Sequence, residues 1–134
     1  MKAGQRPGPS RVGIRIEIGS TVRLGPGKVR LLELIAQHGS ISAAGRAMEM
    51  SYRRAWLLID TLNKAFRQPV VATQPGGRAD QRAAITPFGR EVIRRYRTME
   101  AAAREAMQEE LAALEADLCD EAELPVMHDP RLEA

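Results

Sequence analysis

Several residue types are scarce in this chain of 134 residues, and each scarcity excludes a class of protein. The single cysteine, Cys119, cannot form an internal disulfide, which fits a reducing cytoplasm without establishing it. No stretch approaches the roughly 18 apolar residues of a membrane-spanning helix, and no apolar run follows the basic residues 1–10 as in a signal peptide. Aromatic residues make up only 4% of the chain. We expect a cytoplasmic protein with an aliphatic core and no membrane partner.

The residue patterns that catalysis, metal binding and nucleotide cofactors require are also missing. The two histidines, His38 and His128, are far apart in the sequence, and neither is near a plausible nucleophile. No metal-ligand spacing, phosphate-binding loop or dinucleotide-binding fingerprint is present. We therefore predict no catalytic residues, no metal site and no cofactor.

Charge is distributed unevenly along the chain. Residues 1–99 contain 18 Lys/Arg and 6 Asp/Glu, whereas residues 100–134 contain 2 Lys/Arg and 11 Asp/Glu. A basic body followed by an acidic segment indicates that the body binds a polyanion. A general preference for arginine codons is the alternative explanation for the basic body.

Hydrophobic periodicity predicts a mainly helical fold with short strands. Apolar residues alternate over 12–18, which predicts a half-buried strand, and a short return strand is predicted at 22–24. Helices are predicted at 26–38, 42–49, 52–67 and 87–120, and strands at 70–72 and 83–85. Residues 1–10 are predicted to be a disordered arm and residues 121–134 an acidic, disordered tail.

Capping residues set the predicted helix ends. Gly39 stops the first helix, Ser40 or Ser42 caps the second, and Ser51 caps the third. Thr86 precedes the last helix, whose first residue is a proline. The order of two helices, a tight turn, a third helix and a hairpin predicts a winged helix-turn-helix over residues 11–86.

The third helix begins with polar and cationic residues, which in a helix-turn-helix reach base edges in the major groove. Arginine can pair bidentately with guanine, and a basic hairpin tip can contact the minor groove or phosphates. We predict that the following residues bind double-stranded DNA: Ser40, Ser42, Ser51, Tyr52, Arg53, Arg54, Arg78, Gln81 and Arg82.

Alternatives remain for several of these side chains. The hairpin arginines could belong to a merely solvated loop, and Arg53 and Arg54 could form a surface salt-bridge face. Trp56 lies one position off the predicted buried stripe. It could pack against the N-terminal strand or the last helix, or contact DNA directly.

The last predicted helix carries an apolar stripe with spacings of three and four residues. A helix of this length cannot bury its whole stripe on so small a domain, and a symmetric dimer is a common way to cover it. Folding back on the core, or fraying, is the alternative. We predict homodimerisation through Val92, Tyr96, Met99, Ala103, Met107, Leu111, Leu114 and Leu118.

Four short segments together resemble a family of bacterial regulators. They are GSISAA at 39–44, MSYRRAW at 50–56, GGR at 76–78 and ITPFG at 85–89. Over about residues 12–120 the chain resembles the N-terminal DNA-binding domain of the molybdate-dependent (ModE-type) transcriptional regulators. That domain is itself similar to the helix-turn-helix of LysR-type regulators.

The resemblance implies a homodimer that binds a palindromic operator near molybdenum-related genes. Full-length members of the family also carry a C-terminal oxyanion-binding module, whereas this sequence ends soon after the last predicted helix. Molybdate binding by this chain is therefore in doubt, and regulation by DNA binding alone or through a second, sensing protein stays open.

A winged-helix module for protein–protein interaction is the competing hypothesis. Its acidic last helix could bind a basic partner. The basic first turn of the third helix and the basic hairpin tip favour DNA, because a pure interaction domain requires neither.

Overall fold

The computed structural model describes residues 8–74 and 82–119. These residues form four helices and two antiparallel hairpins, which confirms the mainly helical class. The elements in chain order are β1 (Ile16–Ile18), β2 (Val22–Leu24), α1 (Pro26–His38), α2 (Ile41–Ala47), α3 (Tyr52–Ala65), β3 (Val71–Thr73), β4 (Ala83–Ile85) and α4 (Pro87–Ala116). Residues 12–103 form one compact unit, and the end of α4 from residue 104 belongs to a second.

The N-terminal hairpin is shorter than the alternating apolar pattern predicts. Ile16 pairs with Leu24 and Ile18 with Val22, so the ladder covers only residues 16–18 of the predicted strand 12–18. Ile14 lies before the ladder and is half-buried against the core without strand pairing. The alternating apolar residues therefore mark the side of this segment that packs on the core, whereas strand pairing covers only the residues that lie opposite β2. The predicted return strand at 22–24 is confirmed.

Helix α1 supplies the centre of the core and has the predicted bounds. Its buried residues recur at helical spacing and are Val29, Leu31, Leu32, Leu34 and Ile35. Gly39 ends the helix in the left-handed conformation (φ 73°), and its N–H donates to the Ile35 carbonyl at 2.8 Å. A residue with a Cβ is strained at this φ, so the C-terminal cap favours glycine.

Helix α2 begins at Ile41, one residue earlier than predicted, because Ser40 rather than Ser42 is its N-cap. The Ser40 hydroxyl accepts a hydrogen bond from the Ala43 N–H at 2.9 Å. The helix ends at Ala47, two residues before the predicted end.

Backbone hydrogen bonds to carbonyl groups at the end of α2 hold the turn between α2 and α3, among them the bond from the Glu49 N–H to the Arg46 carbonyl at 3.0 Å. The Gly45 carbonyl accepts hydrogen bonds from the N–H of Met48 at 3.1 Å and of Met50 at 2.9 Å. Glu49 between them has a φ of 57°, which is uncommon for a residue other than glycine. A Cβ on Gly45 would lie 3.2 Å from the Ala55 Cβ, so the two helices pack closely at this point.

Helix α3 begins after Ser51, whose hydroxyl accepts from the Arg54 N–H at 3.1 Å, and the predicted cap is confirmed. Its buried stripe contains Ala55, Ile59 and Leu62. The helix ends at Ala65, two residues before the predicted end, because Phe66 takes an extended backbone (ψ 159°). The Phe66 ring then packs edge-on against the Phe88 ring, with centroids 5.2 Å apart.

In the second hairpin β4 has the predicted bounds, whereas β3 begins one residue later than predicted, because the Val70 N–H bonds to a side chain instead of to a strand. This N–H donates to the Asn63 Oδ1 at 2.8 Å. Asn63 also accepts from the Val71 N–H at 3.2 Å and donates to the Val71 carbonyl at 3.0 Å. Strand β3 therefore begins at Val71, which pairs with Ile85 of β4.

Thr86 joins this hairpin to α4 and is the predicted N-cap. Its hydroxyl accepts from the Gly89 N–H at 2.9 Å and donates to the Pro69 carbonyl at 2.7 Å. The Thr86 N–H donates to the Val70 carbonyl at 3.0 Å. Helix α4 then runs to Ala116, four residues short of the predicted end at 120.

The first half of α4 contributes to the core of the unit 12–103. Val92 and Tyr96 are buried, and the Tyr96 hydroxyl donates to the Ile14 carbonyl at 2.7 Å. Burial, followed by the charge of Glu100, raises the pKa of Tyr96 above its ordinary value. The phenol is therefore held in its protonated, hydrogen-bond-donating form.

A bidentate ion pair ties α4 to α1. The Arg97 guanidinium donates to the two carboxylate oxygens of Glu33 at 3.1 and 2.7 Å and to Glu100 at 2.9 Å. These two carboxylates raise the pKa of Arg97, which is charged at any pH at which the protein folds. None of the helices in the described part of the chain is long and apolar enough to cross a bilayer.

Candidate nucleic-acid interface

The first turn of α3 places most of the predicted base-reading residues on the surface. Ser51, Arg53 and Arg54 are exposed. Tyr52 differs from them, because it is only partly exposed and packs against the hydrophobic core. The cap that starts the helix leaves the Ser51 O–H free to donate, since its oxygen only accepts from the Arg54 N–H.

The exposed face of α3 continues with apolar residues. Leu57 is 45% exposed and Trp56 is 43% exposed, so the core covers little more than half of each side chain. A shallow groove of about 280 Å³ runs along this face and is lined by Ser51, Arg53, Arg54, Leu57, Leu58 and Thr61. The face therefore offers both cationic donors and apolar contacts, as base edges and thymine methyl groups require.

The charges on this face are not neutralised by acidic neighbours. Asp60 is the nearest acidic residue along α3, and its carboxylate bonds to the Lys64 ammonium at 2.9 Å. Within residues 8–74 and 82–119, neither Arg53 nor Arg54 forms an ion pair. The alternative of a surface salt-bridge face is therefore not supported by their surroundings.

The base of the second hairpin lies beside the N-terminus of α2. Ser40 forms an isolated antiparallel bridge with Arg82, and the Ala83 N–H donates to the Gly39 carbonyl at 2.9 Å. Two predicted DNA-binding residues, Ser40 and Arg82, are thus brought together from distant parts of the chain. Ser42 accepts from the Arg46 guanidinium at 2.8 Å.

Two members of the predicted site lie outside the described residues. They are Arg78 and Gln81, in the segment 75–81 between β3 and β4. The described part of the predicted hairpin contact is therefore Arg82, whose side chain is exposed.

Basic residues of the N-terminal hairpin segment and of the start of α1 lie beside Arg54, although they are not among the predicted site residues. Arg15, Arg23 and Lys28 line a groove of about 520 Å³ together with Arg54. The alternation of apolar residues with Arg15, Glu17 and Arg23 was the available signal, because a period of two directs the charged residues to the outer face. Their closeness to α3 depends on tertiary packing and is absent from the local pattern.

The predicted dimerisation stripe divides into two parts. Val92 and Tyr96 are buried within the core of a single chain. Ala103 and Leu111 are half-buried, whereas Met99, Met107, Leu114 and Leu118 are exposed, with Leu114 at 67% and Leu118 at 51%. Only the exposed and half-buried members are available to a second copy of the chain.

Known proteins are similar to most of this chain. It is 36% identical over 99 residues to the molybdenum-pterin-binding protein MopA of Rhodobacter capsulatus, covering 74% of this chain and 37% of that protein. It is 34% identical over 91 residues to the molybdenum transport protein ModE of Azotobacter vinelandii, covering 68% and 33%. It is 32% identical over 71 residues to the DNA-binding transcriptional dual regulator ModE of Escherichia coli K12, covering 53% and 27%.

These similarities support a ModE-related family. No family model matches the chain. The chain spans about a third of the length of the relatives it matches. What those longer proteins bind through their remaining parts is therefore not carried over with the similarity.

Proposed function

We propose that this chain is a sequence-specific DNA-binding transcriptional regulator with a winged helix-turn-helix related to that of the ModE-type and LysR-type regulators. The observation that supports this most strongly is the exposed first turn of α3, where Arg53 and Arg54 have no ion-pair partner among the described residues. A tight turn joins this helix to α2, and the β3–β4 hairpin bridges to the α2 N-cap. The name of the Escherichia coli relative, a DNA-binding regulator, agrees with this proposal.

In this proposal some residues of the interface contact bases and others contact phosphates. Arg53 and Arg54 read base edges in the major groove, with Ser51 and Tyr52 beside them. Ser40, Ser42 and Arg82 contact phosphates on either side, and Arg78 and Gln81 extend the hairpin contact. Phosphate contacts fix the register of the protein on the duplex, and the contacts of the α3 arginines with bases then determine which sequence is bound.

We propose further that the protein is a homodimer that binds a palindromic operator. Support comes from the exposed apolar residues along the second half of α4, because such a stripe is costly to leave in water. Sedimentation at micromolar concentration should give the mass of two chains. A monomeric mass under these conditions would contradict the dimer.

We propose that the protein regulates genes of molybdenum uptake or use. The names of the relatives are the support for this link. We assign no molybdate site to the described residues. Mapping the sites that the protein occupies across its genome, together with the neighbouring genes, tests the link directly.

The function itself is tested with a duplex selected from random sequences by the wild-type protein. Arg53→Ala should weaken binding to the selected duplex by about 5- to 150-fold, equivalent to 1–3 kcal/mol, and should relax the preference at one base pair. Arg95→Ala on α4 is the matched control, since Arg95 is already paired with Glu91 at 3.0 Å. Its binding should not change.

Two results would contradict this function. Equal losses for Arg53→Ala on the selected and on random duplexes would remove the base-reading role. A wild-type protein that enriches no sequence and binds no duplex at low salt would favour the protein-interaction hypothesis instead.

A further inference from the structure

A second groove on the unit 12–103 lies between the N-terminal hairpin, the start of α1 and α3. It has a volume of about 520 Å³ and an apolar floor that includes Leu24, Met50 and Leu58. Three separate elements contribute its charged side chains. The cations are Arg15, Arg23, Lys28 and Arg54, and the one acidic side chain is Glu17.

The groove has an excess of positive charge that its own residues do not neutralise. Glu17 lies 3.5 Å from the Arg23 Nε, and both side chains are largely exposed. Arg15 and Arg54 form no ion pair within the described residues. One carboxylate therefore faces four cations, which leaves the groove with a net positive charge.

The fold holds one of these cations, Lys28, in place. The Lys28 ammonium donates to the Arg23 carbonyl at 2.8 Å, which fixes Lys28 beside the hairpin. Burial, and then the charge of Arg23, lowers the pKa of Lys28 below its ordinary value. An anion in the groove would relieve that repulsion, because it would favour the charged ammonium.

Arg54 connects this groove to the proposed DNA interface. It lines both this groove and the shallow groove on the exposed face of α3, where it lies with Ser51 and Arg53. The basic surface is therefore continuous from the base-reading turn of α3 to the N-terminal hairpin. A duplex that lies on α3 would extend its backbone along this surface.

We propose that the groove binds a backbone phosphate of the same DNA duplex, so that the N-terminal hairpin is a further DNA-contacting element. The inference rests on the proposed DNA-binding function. A polyanion suits the groove better than a small free oxyanion does, because the Arg23 side chain is 84% exposed. Exposed arginines gain little from a single small ion in water, whereas a duplex gathers several phosphate contacts and releases counterions.

The test compares Arg15→Gln/Lys28→Gln with the wild type on a selected duplex and on a random duplex. Loss of one phosphate contact should lower the slope of log K against log salt by about 0.9 and weaken binding by roughly 5- to 10-fold at 0.1 M salt. The loss should be equal on both duplexes, because phosphates carry no sequence information. Arg94→Gln, an exposed arginine on α4 outside the groove, should leave the slope unchanged. Thermal unfolding by circular dichroism confirms that each variant folds.

The outcomes separate this proposal from the function it rests on. If Arg53→Ala relaxes the preference at one base pair while Arg15→Gln/Lys28→Gln leaves both affinity and salt slope unchanged, DNA binding stands and the groove proposal is overturned. If the wild type binds neither duplex, both are overturned. Calorimetric titration with inorganic phosphate tests whether the groove binds a free oxyanion instead of a DNA phosphate. Submillimolar binding that Arg15→Gln/Lys28→Gln removes, with DNA binding intact, would assign the groove to a free oxyanion and reject the duplex.

Discussion

Gly89 lies in the first turn of α4, where the helix backbone passes so close to the neighbouring chain that a side chain has no room. A Cβ there would lie 2.2 Å from the Val70 carbonyl oxygen and 2.8 Å from the Ile85 Cδ1, whereas ordinary van der Waals contact begins near 3.4 Å. The Val70 carbonyl cannot move away freely, because it accepts a hydrogen bond from the Thr86 N–H at 3.0 Å. Gly89→Ala must therefore push the start of α4 away from the β3–β4 hairpin.

The size of the effect follows from three contributions. Overpacking a close contact costs about 1–3 kcal/mol, and weakening the Thr86–Val70 hydrogen bond costs about 1 kcal/mol more. Replacing glycine with alanine in a helix returns about 1 kcal/mol. We therefore expect Gly89→Ala to lower the free energy of unfolding by about 1–3 kcal/mol, which is roughly 3–15 °C in Tm for a chain of this size.

Gly27→Ala is the matched control. Gly27 also lies in the first turn of a helix that begins with proline, and a Cβ there meets nothing within 4 Å. The control should have the wild-type Tm or a higher one, with a free energy of unfolding that exceeds the wild-type value by up to about 1 kcal/mol. Thermal and urea unfolding followed by circular dichroism measure both variants. If Gly89→Ala is as stable as Gly27→Ala, the close approach of α4 to Val70 is absent and the reasoning is wrong.

Three further predictions concern the turn between α2 and α3 and the first half of α4. Glu49→Gly should raise the free energy of unfolding by about 1 kcal/mol in urea, because Glu49 has a φ of 57° that favours glycine; an unchanged or lower value would contradict the turn geometry. Tyr96→Phe should cost about 1 kcal/mol at pH 8, because it removes the bond to Ile14. The raised pKa of Tyr96 means that the folded state holds the phenol proton more tightly, so wild-type stability falls as the pH rises past the ordinary tyrosine value of about 10. The difference in the free energy of unfolding between wild type and Tyr96→Phe should therefore shrink from pH 8 to pH 10.5. A constant difference would contradict the raised pKa of Tyr96. Arg97→Met should cost about 1–3 kcal/mol by leaving the Glu33 carboxylate without its bidentate partner, and Glu33→Gln in the same chain should recover part of that loss.

Local sequence signals predicted much of the fold, because they act within a few residues. The helix over 26–38 ends at its glycine cap, and Ser51 and Thr86 cap the following helices as predicted. These features depend on backbone hydrogen bonds that a single side chain completes or on a φ that one residue allows. The class of fold follows from them.

Element ends and tertiary contacts were not predictable in the same way. Val70 is excluded from β3 by Asn63, seven residues earlier, and the apolar pattern contains no sign of that bond. The pairing of Arg97 with Glu33 spans 64 residues. Burial of Val92 and Tyr96 in the core of a single chain likewise depends on how α4 packs, and a stripe of apolar residues alone does not distinguish such burial from a dimer seam.

In the candidate site, too, local sequence predicts some features, whereas others depend on tertiary packing. Exposure of Arg53 and Arg54 agrees with their predicted position in the first turn of α3, while their role in reading bases stays a prediction. The meeting of Ser40 with Arg82, and of Arg54 with the cations of the N-terminal hairpin, required the assembled fold. Long-range packing thus determines which basic residues share one surface.

The three hydrogen bonds that Asn63 makes to Val70 and Val71 bear on self-association. A strand at the margin of a small sheet is a template on which another chain can add its own strand, and proteins commonly cover or shorten such margins. Here a side-chain amide on α3 already bonds to the outward N–H and carbonyl of Val71, the first residue of β3. The protein can therefore present a short two-stranded hairpin at its surface while limiting the growth of intermolecular sheet from that end.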